Sequence, residues 1–348
     1  MSAKEKIMDL LRQAHEQKAS DLHISVGSAP TFRVNGSLKT SGVEPVNSEE
    51  AMAMAGSMLN EQQMQFFQDQ GEIDFSYSMT GYSRYRINIY RQQGNVSIAA
   101  RLIPTQIPTL ELLQLPQMIA PLANKPQGLI LVTGPTGSGK SSTLAAFLGY
   151  INRTQKKHII TLEDPIEYVH KSEGSIIDQR EVGSDTRSFS NGLRAALRQD
   201  PDVILVGEMR DLETIAAAVT AAETGHLVLA TLHTTDAPQT IDRIIDAFPG
   251  HQQAQIRAQL AAVLVTVISQ RLFPRINGQG RIAATEILVN TPAVANLIRT
   301  EKVHQIRSVM QTSRALGMHT LDMSIKELLQ KGMIDPLVAK SYLVEGGL

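Results

Sequence analysis

The run Gly134-Pro135-Thr136-Gly137-Ser138-Gly139-Lys140-Ser141 leaves few folds open to this chain. Glycines at this spacing, followed by a lysine and a hydroxyl residue, make a phosphate-binding loop only where a strand runs into a helix. Both flanks are present: residues 129–132 are a short apolar run, and Leu144, Phe147, Leu148 and Ile151 share one face of a helix from about Lys140 through Ile151. A merely flexible turn needs neither flank. The expected nucleotide site comprises Gly134, Pro135, Thr136, Gly137, Ser138, Gly139, Lys140, Ser141 and Ser142. Backbone N–H groups turn inward around a β-phosphate, Lys140 neutralises the β/γ oxygens, and the Ser141 hydroxyl joins a magnesium shell.

Around this loop, residues 128–132, 158–162, 202–206 and 227–232 are continuously apolar and alternate with helical stretches. Strands apolar on both faces predict an α/β fold with a mostly parallel, doubly covered sheet. Carboxylates follow two of these strands. Glu208, in Gly207-Glu208-Met209-Arg210-Asp211, sits where ligands bind in open α/β sheets and is the candidate Walker B residue. Gly207 stands where an aspartate is usual, so magnesium coordination is assigned to Glu208, directly or through water. In Glu163-Asp164-Pro165-Ile166-Glu167, Glu163 is the candidate general base. Glu167 is left open between a structural and a catalytic role.

His226 and His233 bracket the 227–232 strand. Their separation by a whole strand argues against a shared metal. His233, at the strand's C-terminal end, is the candidate γ-phosphate sensor, with a structural role as the alternative for either histidine.

The N-terminal third reads differently. Ile7, Leu10, Leu11 and Ala14 recur at helical spacing, residues 20–25 and 31–34 read as short strands, and residues 48–67 as a helical stretch. Residues 82–90 and 95–103 form a hairpin around Gln92-Gln93-Gly94-Asn95. Tyr85, Ile87 and Ile89 share one face while Arg84, Arg86 and Asn88 share the other, and on the second strand Arg101 lies opposite Val96, Ile98, Ala100 and Leu102. On its own this arginine face reads as solvated. Pro104-Thr105-Gln106-Ile107-Pro108 is a linker, because each proline biases its predecessor away from helix. The expected domains are 1–103, a linker 104–112, a core 113–290 and a helical tail 291–348 broken near Gly317 and Gly332.

Composition narrows the function classes. In 348 residues, 33 basic side chains nearly cancel 34 acidic ones, which does not favour a dedicated polyanion binder. Cysteine is absent, which removes disulfides, thiolate zinc ligands and thiol nucleophiles, and makes a reducing cytoplasm the default. Lys4, Glu5, Lys6, Asp9 and Arg12 interrupt the first apolar pattern, so no export signal is expected. Residues 258–270, held between Arg257 and Arg271, are too short to span a bilayer and read as a buried helix.

The phosphate loop, the acidic box at residues 163–167, the run at 205–211 and the histidine pair within 224–235 come in the order seen in the type II/IV secretion ATPases. The chain resembles that superfamily, and within it the type IV pilus retraction branch, over essentially its whole length. The resemblance extends to Ser20-Asp21-Leu22-His23 and to Ala293-Val294-Ala295-Asn296-Leu297-Ile298-Arg299-Thr300. This last run departs from the AIRNLIRE-type motif at Val294, Ala295 and Thr300 and keeps Asn296, Leu297, Ile298 and Arg299.

What the resemblance implies is a PAS-like N-terminal α+β domain, a RecA-like P-loop ATPase domain with a helical C-terminal extension, and a homohexameric ring using ATP and Mg2+. It implies a motor at the inner, cytoplasmic face of the membrane, reached only through partners: an inner-membrane pilus platform protein and the pilus machinery, with no nucleic acid. It implies arginine fingers at Arg86, Arg91 and Arg101, with Arg84 a weaker candidate, and places His226 among the nucleotide-site residues. A pilus-assembly ATPase is the nearest alternative. Such proteins usually carry a further N-terminal domain and a cysteine-rich zinc element, so retraction is preferred. A nucleic-acid translocase on the same core, and a nucleotide-gated regulator without turnover, are the others.

Overall fold

A computed structural model describes residues 1–34, 36–79, 81–103, 106–278 and 280–343. The chain divides into two compact units, Met1–Gln106 and Ile107–Leu348. Pro104 and Thr105 of the expected linker, and residues 344–348 of the expected tail, lie outside the described residues.

The N-terminal unit opens with α1 (Ala3–Glu16), started by a capping box in which the Ser2 hydroxyl and the Glu5 carboxylate each accept the other residue's backbone N–H. Its strands are β1 (Asp21–Ile24), β2 (Thr31–Val34), β3 (Ser37–Thr40), β4 (Glu72–Ser78), β5 (Arg84–Gln92) and β6 (Asn95–Ile103). Among the described residues they form an antiparallel sheet of order β3-β2-β1-β6-β5-β4. The helical stretch expected at 48–67 is two helices, α2 (Ser48–Met58) and α3 (Glu61–Gln70). Asn60 breaks it, because its side chain caps Gln63 N–H and Gln63 returns the bond. Strand parity does the rest. Tyr85, Ile87, Ile89, Val96, Ile98 and Ala100 point with Leu22, Ile24 and Phe32 into one core, covered by Ile7, Leu11, Met54 and Phe67 of the helices.

In the second unit come β7 (Gly128–Thr133), α4 (Lys140–Thr154), β8 (His158–Glu163), β9 (Ile176–Glu181), α5 (Phe189–Ala196), β10 (Val203–Val206), α6 (Leu212–Glu223), β11 (Leu227–Leu232), α7 (Ala237–Asp246), α8 (Gly250–Val263), β12 (Leu264–Pro274) and β13 (Arg281–Val289). The described sheet has the order β13-β12-β7-β11-β10-β8-β9, parallel except for β13. Every residue of β7, β10 and β11 is buried, as a sheet covered on both faces requires. The period of two divides β7 between two cores. Leu129 and Leu131 pack with α6, α7 and α8, while Ile130 and Val132 pack with Leu144, Phe147, Leu148 and Ile151 of α4.

The stretch 258–270 corrects the expectation. It is not one buried helix: α8 ends at Val263 and the chain continues as β12. A continuous apolar run satisfies either state, and here pairing with both β7 and β13 decides for strand. The β12–β13 hairpin then carries the tail, α9 (Pro292–Arg299), α10 (Ile306–Thr312), α11 (Leu321–Gln330) and α12 (Pro336–Lys340). Phe273, Ile282 and Ala284 of the hairpin pack with Ile325, Leu328 and Ala339, and the left-handed Gly317 and Gly332 separate the last helices. The buried Glu286 carboxylate accepts Ala237 N–H and Leu321 N–H, so one side chain caps both α7 and α11. No described helix is long and apolar enough to cross a membrane.

Candidate active site

Strand β7 ends at Thr133 and α4 begins at Lys140, with the loop between them held by β12. The Gln270 amide donates to the Ser138 carbonyl at 2.7 Å and accepts from the Thr143 hydroxyl at 2.9 Å, while Thr133 and Ser269 share a hydroxyl hydrogen bond of 2.7 Å. Gly134 has φ +140°, and a Cβ there would lie 2.4 Å from the Gln270 carbonyl oxygen. The loop therefore rests directly on a neighbouring strand. Lys140 is buried, with Nζ donating to the carbonyls of Gly134 (2.8 Å) and Pro135 (3.1 Å). Burial lowers its pKa, opposed by the charges of Glu208 and Glu167. The Ser138 hydroxyl is buried without a hydrogen-bond partner among the described residues. A desolvated ammonium and an unsatisfied donor suit an anion in this cradle.

Four strand ends meet in front of it. Thr136, Gly137, Lys140, Ser141, Glu163, Glu208 and His233 line one pocket. Gly207 explains how Glu163 and Glu208 come to share it. Its N–H donates to the Leu162 carbonyl at 2.7 Å, and a Cβ would lie 3.0 Å from that oxygen and 3.3 Å from the Glu163 Cα. The end of β10 lies so close to the end of β8 that any side chain at 207 would press on the β8 backbone.

Glu163 and Glu208 have opposite environments. Desolvation raises the Glu163 pKa and Glu167 adds to the rise, opposed by hydrogen bonds from the Thr161 hydroxyl (2.6 Å) and the Gln179 amide (3.1 Å). For Glu208 burial also pushes upward, but Arg210, His233 and Lys140 together outweigh it and hold its pKa below the ordinary value. Arg210 Nε lies 2.6 Å and His233 Nε2 2.9 Å from the same carboxylate oxygen. One carboxylate is tuned toward holding a proton and the other toward staying charged, the usual division between base and electrostatic anchor.

Several candidate residues sit elsewhere. The Ser142 hydroxyl is engaged by the Tyr168 hydroxyl at 2.8 Å. His226 precedes β11 at the edge of the sheet opposite the loop, and its ring contacts the Ala221 carbonyl at 2.9 Å. Six residues of β11 separate it from His233, roughly 20 Å at about 3.3 Å per residue. Within this subunit His226 is thus kept from the pocket by strand direction.

The candidate arginines belong to the N-terminal unit. Arg86 and Arg101 are directly paired across β5 and β6. Arg86 is bound to Asp74 at 2.5 Å and Arg101 to Asp21 at 3.0 Å. Arg91 has the opposite parity, with its guanidinium 5.6 Å over the Phe67 ring, so it does not share their face. Among groups in the pocket or its supports, sequence reasoning missed Arg210, Gln179 and Gln270. Arg210 adjoins Glu208 in an already noted run, whereas the other two carry no local signal.

A profile of the type II/IV secretion system protein family matches residues 2–334. The type IV pilus retraction ATPase PilT of Pseudomonas aeruginosa is 49% identical over 328 residues, 94% of this chain and 95% of that protein. A twitching motility protein of Neisseria gonorrhoeae is 47% identical, covering 96% of this chain and 89% of that protein. A crystal structure of the pilus retraction motor PilT with bound ADP has a TM-score of 0.90 and 46% identity, covering 96% of both chains.

Proposed function

This chain belongs to the type II/IV secretion system protein family, and from that premise we propose that it is a hexameric ATP-hydrolysing motor powering type IV pilus retraction and twitching motility. The observation that carries the reading is the convergence of Glu163 and Glu208, oppositely tuned, on one phosphate-loop pocket. A passive nucleotide-binding module needs the loop but not two such carboxylates.

In this reading the loop N–H groups and Lys140 hold the β- and γ-phosphates, for which Lys140 leaves the Gly134 and Pro135 carbonyls. Magnesium would be held by the Ser141 hydroxyl and, directly or through water, by Glu208, and would neutralise phosphate charge. Glu163 orients and deprotonates the attacking water. His233 joins Glu208 to the γ-phosphate region, so that loss of the phosphate is felt at the end of β11. Arg86 and Arg101 serve as fingers offered when subunits or domains close. Exposed ion pairs such as theirs with Asp74 and Asp21 are worth about 0–1 kcal/mol, so release is cheap. The motor works at the cytoplasmic face of the membrane through a pilus platform protein, without nucleic acid.

Arg101→Ala is expected to lower kcat at least tenfold, an estimate of about 1.4 kcal/mol of transition-state stabilisation, with little change in the Kd for ADP. Equal losses in kcat and affinity, or none, would remove its finger role. The function itself is tested by deleting the gene and complementing with the parent or Lys140→Ala protein. Abundant surface pili with lost twitching, restored only by the parent, are expected. Bald cells would make this an assembly motor, and unchanged pili and movement would turn attention to DNA-stimulated ATP hydrolysis.

A further inference from the structure

Beyond Glu163, the end of β8, the segment from Asp164 to His170 that carries the rest of the acidic box lines the pocket without regular secondary structure. Strand β9 fixes it. The Glu181 carboxylate accepts Ile166 N–H at 3.0 Å, which secures the middle of the segment. Gln179, two residues earlier on the same face of β9, bonds it at three points. Its amide NH2 donates to Glu163 Oε1 at 3.1 Å and to the Tyr168 carbonyl at 2.8 Å, and its amide oxygen accepts His170 N–H at 2.7 Å.

This use of the amide is close to complete: both N–H bonds and the oxygen are occupied by Glu163 and the segment that follows it. Parallel pairing places Thr161 opposite Gln179 and Glu163 opposite Glu181. Thr161 and Gln179 therefore both reach Glu163 Oε1, so two adjacent strands fix one oxygen of the carboxylate. Tyr168, whose carbonyl Gln179 holds, also binds the Ser142 hydroxyl on α4. The same amide thus ties the carboxylate to a segment anchored on the phosphate-loop helix.

We propose that Gln179 is a positioning residue for hydrolysis, fixing the Glu163 carboxylate in the orientation from which it activates water. The proposal rests on the reading of Glu163 as general base. The amide N–H stabilises the charged carboxylate against desolvation, so Gln179 also sets the protonation range in which the base is available. The other titratable and charged groups around that carboxylate are Asp164, Glu167 and His170 of its own segment, Lys140 of α4, Glu181 of β9, Arg187 before α5, Glu208, Arg210 and Asp211 after β10, and His233 after β11. None of these changes in the variants used as tests.

The experiment is the pH profile of kcat and KM for full-length Gln179→Met and Gln179→Glu, each alone and combined with Glu163→Gln, with ADP affinity measured in parallel. Methionine keeps the length and removes the amide, while glutamate removes the N–H and places an acceptor beside Glu163. Both are expected to lower kcat by about tenfold or more, with KM and ADP affinity within twofold. Both move the acid limb of kcat to higher pH, glutamate further than methionine. On the Glu163→Gln background neither has a further effect, because the group they act through is gone. If either variant fails to fold, the other carries the test. Normal kcat, or kcat and affinity falling together with an unshifted limb, would overturn the clamp while leaving Glu163 as base. Normal turnover in Glu163→Gln would overturn both.

Discussion

Glu163→Gln is expected to lower turnover by about 10²–10⁴-fold, the usual contribution of a positioned acid or base, and at neutral pH to make the protein more stable. The two effects share one cause. Burial holds the Glu163 pKa above its ordinary value of 4.5, so the folded state must keep a carboxylate it would rather protonate. A raised carboxyl pKa means that folding is disfavoured at pH above the folded value, where both states are ionised and the native charge is poorly solvated. That penalty fades as pH falls through the folded pKa, and it is absent below the unfolded one, where both states are protonated. Glutamine carries no charge at any pH. The gain in melting temperature over the parent should therefore be largest at pH 8 and vanish toward pH 4. Steady-state hydrolysis with thermal melts from pH 4 to 8 reads both effects. Lost turnover with unaltered or lowered stability at pH 8 would show that burial does not govern this carboxylate. Near-normal turnover would remove it as the base.

Glu208 provides the contrast, because there the cations Arg210, His233 and Lys140 together outweigh the desolvation that burial imposes. That difference was not legible in the chain. Both residues read alike, as a glutamate just past an apolar strand, and only the positions of Arg210, His233, Thr161 and Gln179 separate them. The phosphate loop was legible because glycine, lysine and hydroxyl spacing is chemistry-specific and its flanks showed two different periods. The strands β7, β8, β10 and β11 were legible because doubly covered parallel strands are continuously apolar. The run from 258 to 270 was misread by the same rule, since β12 is also buried on both faces and follows a helix without a break. That error concealed Gln270, whose amide holds the loop. The break at Asn60 was written in the sequence as an Asn/Gln capping pair. Gln179, by contrast, meets Glu163 across a parallel pairing 16 residues away, where spacing carries no information.

Gly134→Ala is expected to cost the nucleotide-free protein about 3 kcal/mol or more, combining backbone strain with a clash, and to weaken ADP binding by about 100-fold, roughly 2.7 kcal/mol. Two observations set this apart from an ordinary glycine effect. At φ +140° an L side chain is strained whatever the space, and the added Cβ would meet the Gln270 carbonyl at 2.4 Å and the Ser138 hydroxyl at 2.6 Å. Backbone cannot swing aside as a side chain can. Relief requires β7 and β12 to separate at the point where Gln270 also holds Ser138, so the strain reaches the phosphate cradle itself. Gly137 supplies the comparison within the same loop. It has φ +78° but no neighbour within 4 Å of an added Cβ, so Gly137→Ala should cost only about 1–2 kcal/mol, the left-handed penalty alone. Thermal denaturation of both variants without nucleotide separates the terms, since no ligand then touches either position. A fall for Gly134→Ala well beyond that for Gly137→Ala would place the cost in contact with β12. Equal falls would mean that the loop moves freely of that strand, and that its geometry is set by glycine conformation rather than by the sheet behind it.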